Sequence, residues 1–207
     1  MKKLIWALPL LLLLSCGSEK QEEAPAEPEL LPAFTENGVN AVIEIPAGTN
    51  RKIEFNADEG EFETDQRDGK DRVIDFLPYP GNYGFIPSTK VSREAGGDGD
   101  ALDILVIGEA VPTGTLIEAL PIGLLRLRDE GEEDVKIIAI PADSSRQVIN
   151  PKDFLDFSIR YDGARHMLEN WFLYYDGLGT NQLEGWGDDA AARREVERWL
   201  DITSSNQ

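Results

Sequence analysis

The chain has 207 residues, of which 41% are apolar and 29% charged, as in a soluble globular protein of one or two domains. Acidic residues number 39 and basic residues 20, giving a net charge of −19. This charge argues against nucleic acid as a partner, because phosphates would be repelled. One cysteine excludes an internal disulfide, and one histidine besides makes an all-protein zinc site improbable. His166 lies in no nucleophile motif, which argues against a serine hydrolase.

The first 15 residues predict a secretory signal peptide. Lys2 and Lys3 precede an apolar run over residues 4–14 that is too short to span a bilayer. The sequence LLSC at residues 13–16 resembles a bacterial lipobox, in which the cysteine is lipidated; ordinary secretory cleavage near Ser15 is the alternative. We therefore expect an exported lipoprotein, anchored to a bacterial membrane through Cys16 and facing the periplasm or the cell surface.

The next segment, residues 16–33, predicts a flexible tether. It is rich in glutamate, proline and alanine and has no periodic apolar pattern, so it cannot form a core. Residues 34–207 contain no second linker, fixed repeat or low-complexity tract. We expect a single domain there.

Within that domain the pattern favours strands first and helices afterwards. Short β-rich runs bounded by glycine or proline occupy residues 41–45, 51–55, 104–107, 116–120, 123–127 and 135–140, and residues 79–85 predict a turn-rich loop. Two apolar stripes predict helices: Met167, Leu168, Trp171, Phe172 and Tyr175, then Ala192, Val196, Trp199 and Leu200 behind a cap at Asp188 or Asp189. This order indicates an α+β fold, a small barrel or curled sheet with helices outside.

A dense group of acids precedes one apolar strand. Asp98, Asp100 and Asp103 fall within six residues, where unpaired carboxylates would repel one another. Aspartate oxygens without cysteine or histidine select hard divalent ions such as magnesium, calcium or manganese. A solvated acidic turn is the alternative. An EF-hand loop is rejected because Asp103 stands where that loop requires glycine.

A second acidic group, residues 129–134, separates two apolar strands and predicts a hairpin with Gly131 at its tip. Asp129 and Asp134 stand at the loop ends, so we expect them to face each other. Lys136 is two residues beyond Asp134 and therefore on the same strand face. Two acidic turns that also present a lysine indicate a site for several metal ions with a phosphate partner.

Basic and phenolic residues complete the set. Lys52 and Glu54 share one strand face, Arg72 lies in the run DGKDRVIDF, and Tyr79 and Tyr83 lie in the predicted loop. Taken singly, each has a plain alternative to a role in function: Lys52 and Arg72 as surface charges, and the two tyrosines as core residues.

In order, these motifs resemble those of the soluble family I inorganic pyrophosphatases, from about residue 41 to the C terminus. The matching elements are IEIP with Glu44, the Lys52 and Glu54 pair, GK-x-R with Arg72, YPGNYGFIP with Tyr79 and Tyr83, D-x-D-x-x-D from Asp98 to Asp103, and DEGEEDVK with Asp129, Asp134 and Lys136. Such a series is far more specific than any one motif.

The resemblance implies hydrolysis of inorganic diphosphate to two phosphates by a metal-activated water. It implies an OB-like five-stranded closed β-barrel core with helices packed outside, mainly C-terminal. Several Mg²⁺ ions, with Mn²⁺ as a substitute, would be the cofactors, and family members are commonly homo-oligomers. By the resemblance, the residue roles are a proton acceptor, Asp100; metal ligands, Asp98, Asp103, Asp129 and Asp134; phosphate ligands, Lys52, Arg72, Tyr83, Lys136 and Tyr175; and supporting residues, Glu44, Glu54 and Tyr79.

Two positions depart from the family pattern. Ala101 replaces a usual proline, which should affect stability slightly. Asp176 replaces a phosphate-binding lysine beside Tyr175, which could instead be a core residue. The departure at Asp176 predicts weaker diphosphate binding, and Lys152, Arg160 and Arg165 are candidates to compensate for it, among which the sequence does not decide. Two alternatives stay open: a non-catalytic or divergent lipoprotein that binds phosphate or metal, and a hydrolase of another small phosphoanhydride.

Overall fold

The apolar runs of the sequence form strands, and helices follow in the last third. The computed structural model describes residues 25, 27–129 and 131–200, so the predicted signal peptide, Cys16 and most of the tether lie outside the described residues. The strands are β1 (Val39–Ile45), β2 (Ile53–Asn56), β3 (Glu61–Thr64), β4 (Gln66–Arg67), β5 (Lys70–Asp71), β6 (Asn82–Ile86), β7 (Leu102–Val106), β8 (Thr115–Asp129), β9 (Glu132–Pro141) and β10 (Asn181–Gly187). The helices are α1 (Phe154–Arg160), α2 (Asp162–Tyr174) and α3 (Asp189–Arg198), and 3₁₀ turns span Pro28–Leu30, Arg93–Ala95 and Ser144–Arg146. In the part of the chain so described, no helix has the length and apolarity needed to cross a membrane.

Five of the strands close into a barrel. Pairing runs β1–β6–β7–β9–β8 and returns from β8 to β1. Every pair in this ring is antiparallel except β7 with β9, which is parallel. The 15 residues of β8 reach β1 through their first part and β9 through the rest, so the ring has no free edge. The expected five-stranded closed barrel is confirmed, and β10 adds to it by pairing with the second half of β8.

Two predictions about the strands were wrong. The runs 116–120 and 123–127 are parts of the single strand β8, whose pairing with β9 only shifts register between Pro121 and Gly123. Residues 79–85, predicted as a loop, contain most of β6, which is buried throughout. Gly84 permits this strand, because a Cβ there would lie 1.9 Å from the carbonyl oxygen of Val42 on β1.

The apolar side chains of the barrel divide into two clusters, as expected when successive strand residues point to opposite faces. One contains Ile43, Ile104 and Ile137 and is completed by Ala192, Val196 and Trp199 from α3 and its C-terminal cap. The other contains Leu105, Leu125 and Ile138 and is covered by Phe157 of α1 and by Leu168, Trp171 and Phe172 of α2. The helices therefore pack on the barrel from two sides.

The helix predictions are correct in place but not in every residue. Asp188 caps α3, its carboxylate accepting a hydrogen bond from the Ala191 amide at 2.7 Å. Met167 of the first predicted stripe is 68% exposed, and Leu200 of the second is also exposed. The predicted order of strands before helices also fails at β10, which lies between α2 and α3.

Candidate active site

One cavity of about 800 Å³ collects every site residue predicted within the described ranges. Its lining includes Glu44, Lys52, Glu54, Arg72, Tyr79, Tyr83, Asp98, Asp100, Asp103, Asp129, Asp134, Lys136 and Tyr175. These residues come from β1, β2, β6, β7, β8, β9, the connecting loops and the end of α2. The fold thus brings together side chains that are far apart in sequence, from Glu44 to Tyr175.

Lys136 lies among two carboxylates and a phenol. The parallel pairing of β7 with β9 sets it directly opposite Asp103. Its ammonium contacts the Asp103 carboxylate, lies 2.6 Å from the Asp134 carboxylate, and donates to the Tyr83 hydroxyl at 3.1 Å. Burial lowers the pKa of Lys136, but the charges of Asp103 and Asp134 outweigh burial and hold the pKa well above its usual value. The residue is therefore a charged donor although it is only 5% exposed.

The hairpin prediction is correct except in its register. β8 ends at Asp129 and β9 begins at Glu132, with Gly131 in the left-handed region at φ 100°. Asp129 faces Glu132 across the hairpin, and Asp134 faces Leu127, so the two aspartates do not face each other as expected. Both nevertheless line the cavity. Burial raises the pKa of Asp134 despite its contact with Lys136.

The loop before β7 holds Asp98 and Asp100 of the other acidic group, and Asp103 follows on β7 itself. Gly99 adopts φ 92°, and the Asp98 carboxylate accepts a hydrogen bond from the Asp100 amide at 2.9 Å, so the loop turns tightly. Burial and then the neighbouring charges of Asp98 and Asp103 raise the pKa of Asp100. Asp100 is therefore a better proton acceptor than a solvated aspartate.

Lys52 and Glu54, which also line the cavity, lie side by side as the strand pattern predicted. The Lys52 ammonium lies 2.5 Å from the Glu54 carboxylate. Glu44 accepts a hydrogen bond from the Phe55 amide at 2.8 Å. Burial raises the pKa of Glu44 to about 8, against the lowering effect of that hydrogen bond.

Aromatic rings fix the tyrosines of the cavity. The Trp171 ring lies 4.7 Å from the Tyr175 ring in a nearly parallel stack and 4.6 Å from the Tyr79 ring. The Trp171 indole donates to the Leu77 carbonyl at 2.9 Å, which holds the stack in place. Tyr175 thus packs against the core and lines the cavity at once. Burial raises its pKa to about 12, so its hydroxyl remains a donor at neutral pH.

The three basic candidates to compensate for Asp176 do not line the cavity. Arg160 pairs with Asp156 and Arg165 with Asp162, and Lys152 does not line the cavity. The Asp176 carboxylate instead lies 2.9 Å from Arg72 and 3.4 Å from Arg67, and Arg72 also contacts Asp65 at 3.3 Å. Sequence reasoning missed Arg67 and Asp65. The sequence signal that could have found Arg67 is the Asp68-Gly69 pair, which is typical of a tight hairpin turn and returns the chain from Arg67 toward Arg72.

The cavity contains both carboxylates and basic side chains, and some of them contact each other directly. Across residues 27–129 and 131–200 no three acidic, histidine or cysteine side chains lie at metal-ligating spacing, and two of the predicted ligands, Asp103 and Asp134, contact Lys136. The donor set is nevertheless all oxygen, the kind that magnesium and manganese prefer. With Lys, Arg and Tyr donors beside it, the site defines a class: hydrolases that bind phosphoryl groups between basic side chains and carboxylate-held cations.

Comparison with known proteins narrows this class to a family. The inorganic pyrophosphatase family model matches residues 41–203, and the chain belongs to that family. It is 36% identical over 169 residues to the inorganic pyrophosphatase of Saccharolobus solfataricus, covering 79% of this chain and 90% of that protein. It is 35% identical over 179 residues to the enzyme of Neisseria meningitidis serogroup B, covering 82% and 94%.

Solved structures agree in fold. The crystal structure of an inorganic pyrophosphatase from Thermus thermophilus superposes with a TM-score of 0.68 at 27% identity, covering 90% of this chain and all of that one. The Neisseria gonorrhoeae enzyme gives a TM-score of 0.65 at 30% identity, covering 81% and 91%. The resemblance found in the motifs is therefore a family relationship.

Proposed function

We propose that this protein hydrolyses inorganic diphosphate to two phosphate ions with the help of several magnesium ions. The observation that carries the proposal is the convergence of thirteen predicted residues, from separate motifs, on one cavity of about 800 Å³. Membership of the inorganic pyrophosphatase family supports the same reaction.

The residues present fit magnesium. Asp98, Asp103, Asp129 and Asp134 would hold the ions, because all four line the cavity and offer only oxygen. Desolvation raises the pKa of Asp134 although Lys136 lies 2.6 Å away, so a further cation beside this carboxylate would stabilise its charged form. When bound, magnesium supplies neutralisation of the phosphate charge and acidification of the attacking water; manganese would be a substitute.

The protein's own groups divide the remaining work. Attack of the water oxygen on phosphorus forms one P–O bond and breaks the bridging P–O bond, and the Asp100 carboxylate would accept the water proton. Lys52, Arg72, Tyr83, Lys136 and Tyr175 would donate to phosphoryl oxygens, as their place in the cavity allows. Three further residues would support these donors. Glu54 contacts Lys52, and Glu44 on β1 accepts a hydrogen bond from the Phe55 amide next to Glu54. Tyr79 packs against the Trp171 ring in the aromatic stack.

The test is phosphate release from diphosphate, triphosphate and ATP by the purified chain, with and without magnesium. We expect magnesium-dependent release from diphosphate, reduced by about 10²–10⁴-fold in Asp100→Asn. Asp75→Asn is the matched control, since Asp75 is exposed and does not line the cavity. Faster release from triphosphate or ATP would favour another phosphoanhydride. Metal binding without release from any of the three would favour a non-catalytic binding protein and overturn the proposal.

We also propose that the catalytic domain is displayed as a lipoprotein. Supporting this are the basic and apolar start of the chain, the LLSC sequence ending at Cys16, and a family match that begins only at residue 41. The protein would face the periplasm or the bacterial cell surface on an acidic tether over residues 16–33. The anchor is tested by incorporation of labelled fatty acid, which we expect to be abolished in Cys16→Ala. The homo-oligomer that the family resemblance implies is tested by measuring the molar mass with light scattering.

A further inference from the structure

The carboxylate of Asp176 lies between two arginines at one side of the cavity, Arg67 and Arg72, and we call this part of the site the basic corner. Asp176, just beyond the end of α2, is 19% exposed in its side chain. Its two oxygens meet two guanidiniums: Arg72 at 2.9 Å, and Arg67 with one nitrogen toward each oxygen at 3.4 Å. All three residues line the cavity. Two arginines around one planar oxyanion form the arrangement that proteins use to bind phosphate.

We propose that Arg67 is a substrate-binding residue and that Asp176 is an internal anion which a phosphoryl group of the substrate must displace from Arg67 and Arg72. The inference rests on the proposed function and deepens it. It makes the β4–β5 hairpin part of the substrate site, and it makes Asp176 a determinant of affinity.

The geometry of the hairpin supports this role. Asp68 and Gly69 both adopt left-handed backbone at φ 55° and 71°, the conformation of a tight two-residue hairpin turn. Arg67 pairs with Lys70 across that turn, and Arg72 follows directly after β5. The turn therefore fixes both arginines at one side of the cavity, 104 and 109 positions away from Asp176 in sequence.

The ion pair of Arg67 with Asp176 contributes little to the stability of the fold. Its side chain is 58% exposed, and exposed ion pairs add little to stability. The negative charges of Asp65 and Asp176 cancel the positive charges of Arg67 and Arg72, which disfavours binding of an anionic substrate. A phosphoryl group must therefore compete with these carboxylates for the guanidiniums. Removing the Asp176 charge would leave one positive charge in excess at this corner.

The test compares Asp176→Asn, Arg67→Gln and Arg67→Lys in the full chain. KM and kcat for diphosphate are measured in magnesium, together with the Kd of inorganic phosphate by calorimetry. Arg193→Gln is the matched control, because Arg193 forms an exposed ion pair with Glu197 and does not line the cavity. Urea midpoints verify that each variant folds.

We expect Asp176→Asn to lower KM and the phosphate Kd by about three- to tenfold with kcat nearly unchanged, and Arg67→Gln to raise both by about tenfold. Arg67→Lys should fall between Arg67→Gln and the unaltered chain. An unchanged or higher KM in Asp176→Asn, or Arg67→Gln values equal to those of Arg193→Gln, would overturn the inference. Failure of the proposed function would appear separately, as no phosphate release by the unaltered chain; the calorimetric comparison would still decide the roles of Arg67 and Asp176.

Discussion

Replacing Lys136 with methionine should destabilise the protein and remove its activity. Lys136 is 5% exposed and supplies the positive charge between the Asp103 and Asp134 carboxylates, whose side chains are 26% and 16% exposed. Breaking a buried ion pair on one side costs about 3–5 kcal/mol, because the remaining charge is left without a partner. Since water reaches both aspartates in part, we expect about 3 kcal/mol. For a chain of this length the melting temperature should fall by about 6–12 °C.

Urea denaturation and calorimetry in a chelating buffer at pH 7 measure this change. Lys152→Met is the control, because Lys152 is exposed and should change stability by less than about 0.5 kcal/mol. Adding Asp134→Asn to Lys136→Met should recover part of the loss, since one of the uncompensated charges is then gone. A Lys136→Met protein as stable as the unaltered chain would contradict the role of Lys136 as the charge that compensates two partly exposed carboxylates.

Two further substitutions test the fold and the site. Gly84→Ala should lower the free energy of unfolding, measured in urea, by about 3 kcal/mol or more, because the new Cβ would collide with the Val42 carbonyl. Gly163→Ala on α2 is the control and should be neutral or stabilising, because a Cβ there meets nothing within 4 Å. Equal effects of the two substitutions would contradict the packing at Gly84. Glu44→Gln should remove a pH dependence. Because the folded pKa of Glu44 is raised from 4.5 to about 8, the native state binds this proton more tightly than the unfolded state. The unaltered chain should therefore lose up to about 4 kcal/mol as pH rises through that window. Urea titrations at pH 5 and 8.5 in chelator should show that loss, and an identical loss in Glu44→Gln would exclude Glu44 as its source.

The site was predictable because its motifs keep their residues in short runs. Asp98, Asp100 and Asp103 precede an apolar strand, and the two-residue period of a strand put Lys136 beside Asp134. The contact of Lys136 with Asp103 was not predictable, since it depends on the parallel pairing of β7 with β9. No local pattern specifies which distant strands pair in parallel.

Elements with weak local signals were missed. β10 contains Gly185 and Gly187 and is largely exposed over its middle residues, so it lacks the apolar alternation that marks a strand. The glycine and asparagine of β6 favour turns and therefore predict a loop, whereas in the structure the close approach of β1 requires glycine at Gly84.

Asp176 illustrates the limit for long-range electrostatics. Sequence indicated an acid where the family has a base and suggested nearby cations along the helices. The actual partners, Arg67 and Arg72, come from a hairpin more than 100 positions earlier. Only the tertiary fold brings that hairpin to the end of α2.

We expect four aspartates, from separate strands and loops, to hold hard divalent cations in one cavity. Anomalous diffraction from crystals of the protein soaked in Mn²⁺ tests it most directly. We predict manganese peaks within coordination distance of the carboxylates of Asp98, Asp103, Asp129 and Asp134. A map with no manganese in the cavity, or with manganese bound only at other surface carboxylates, would contradict the account.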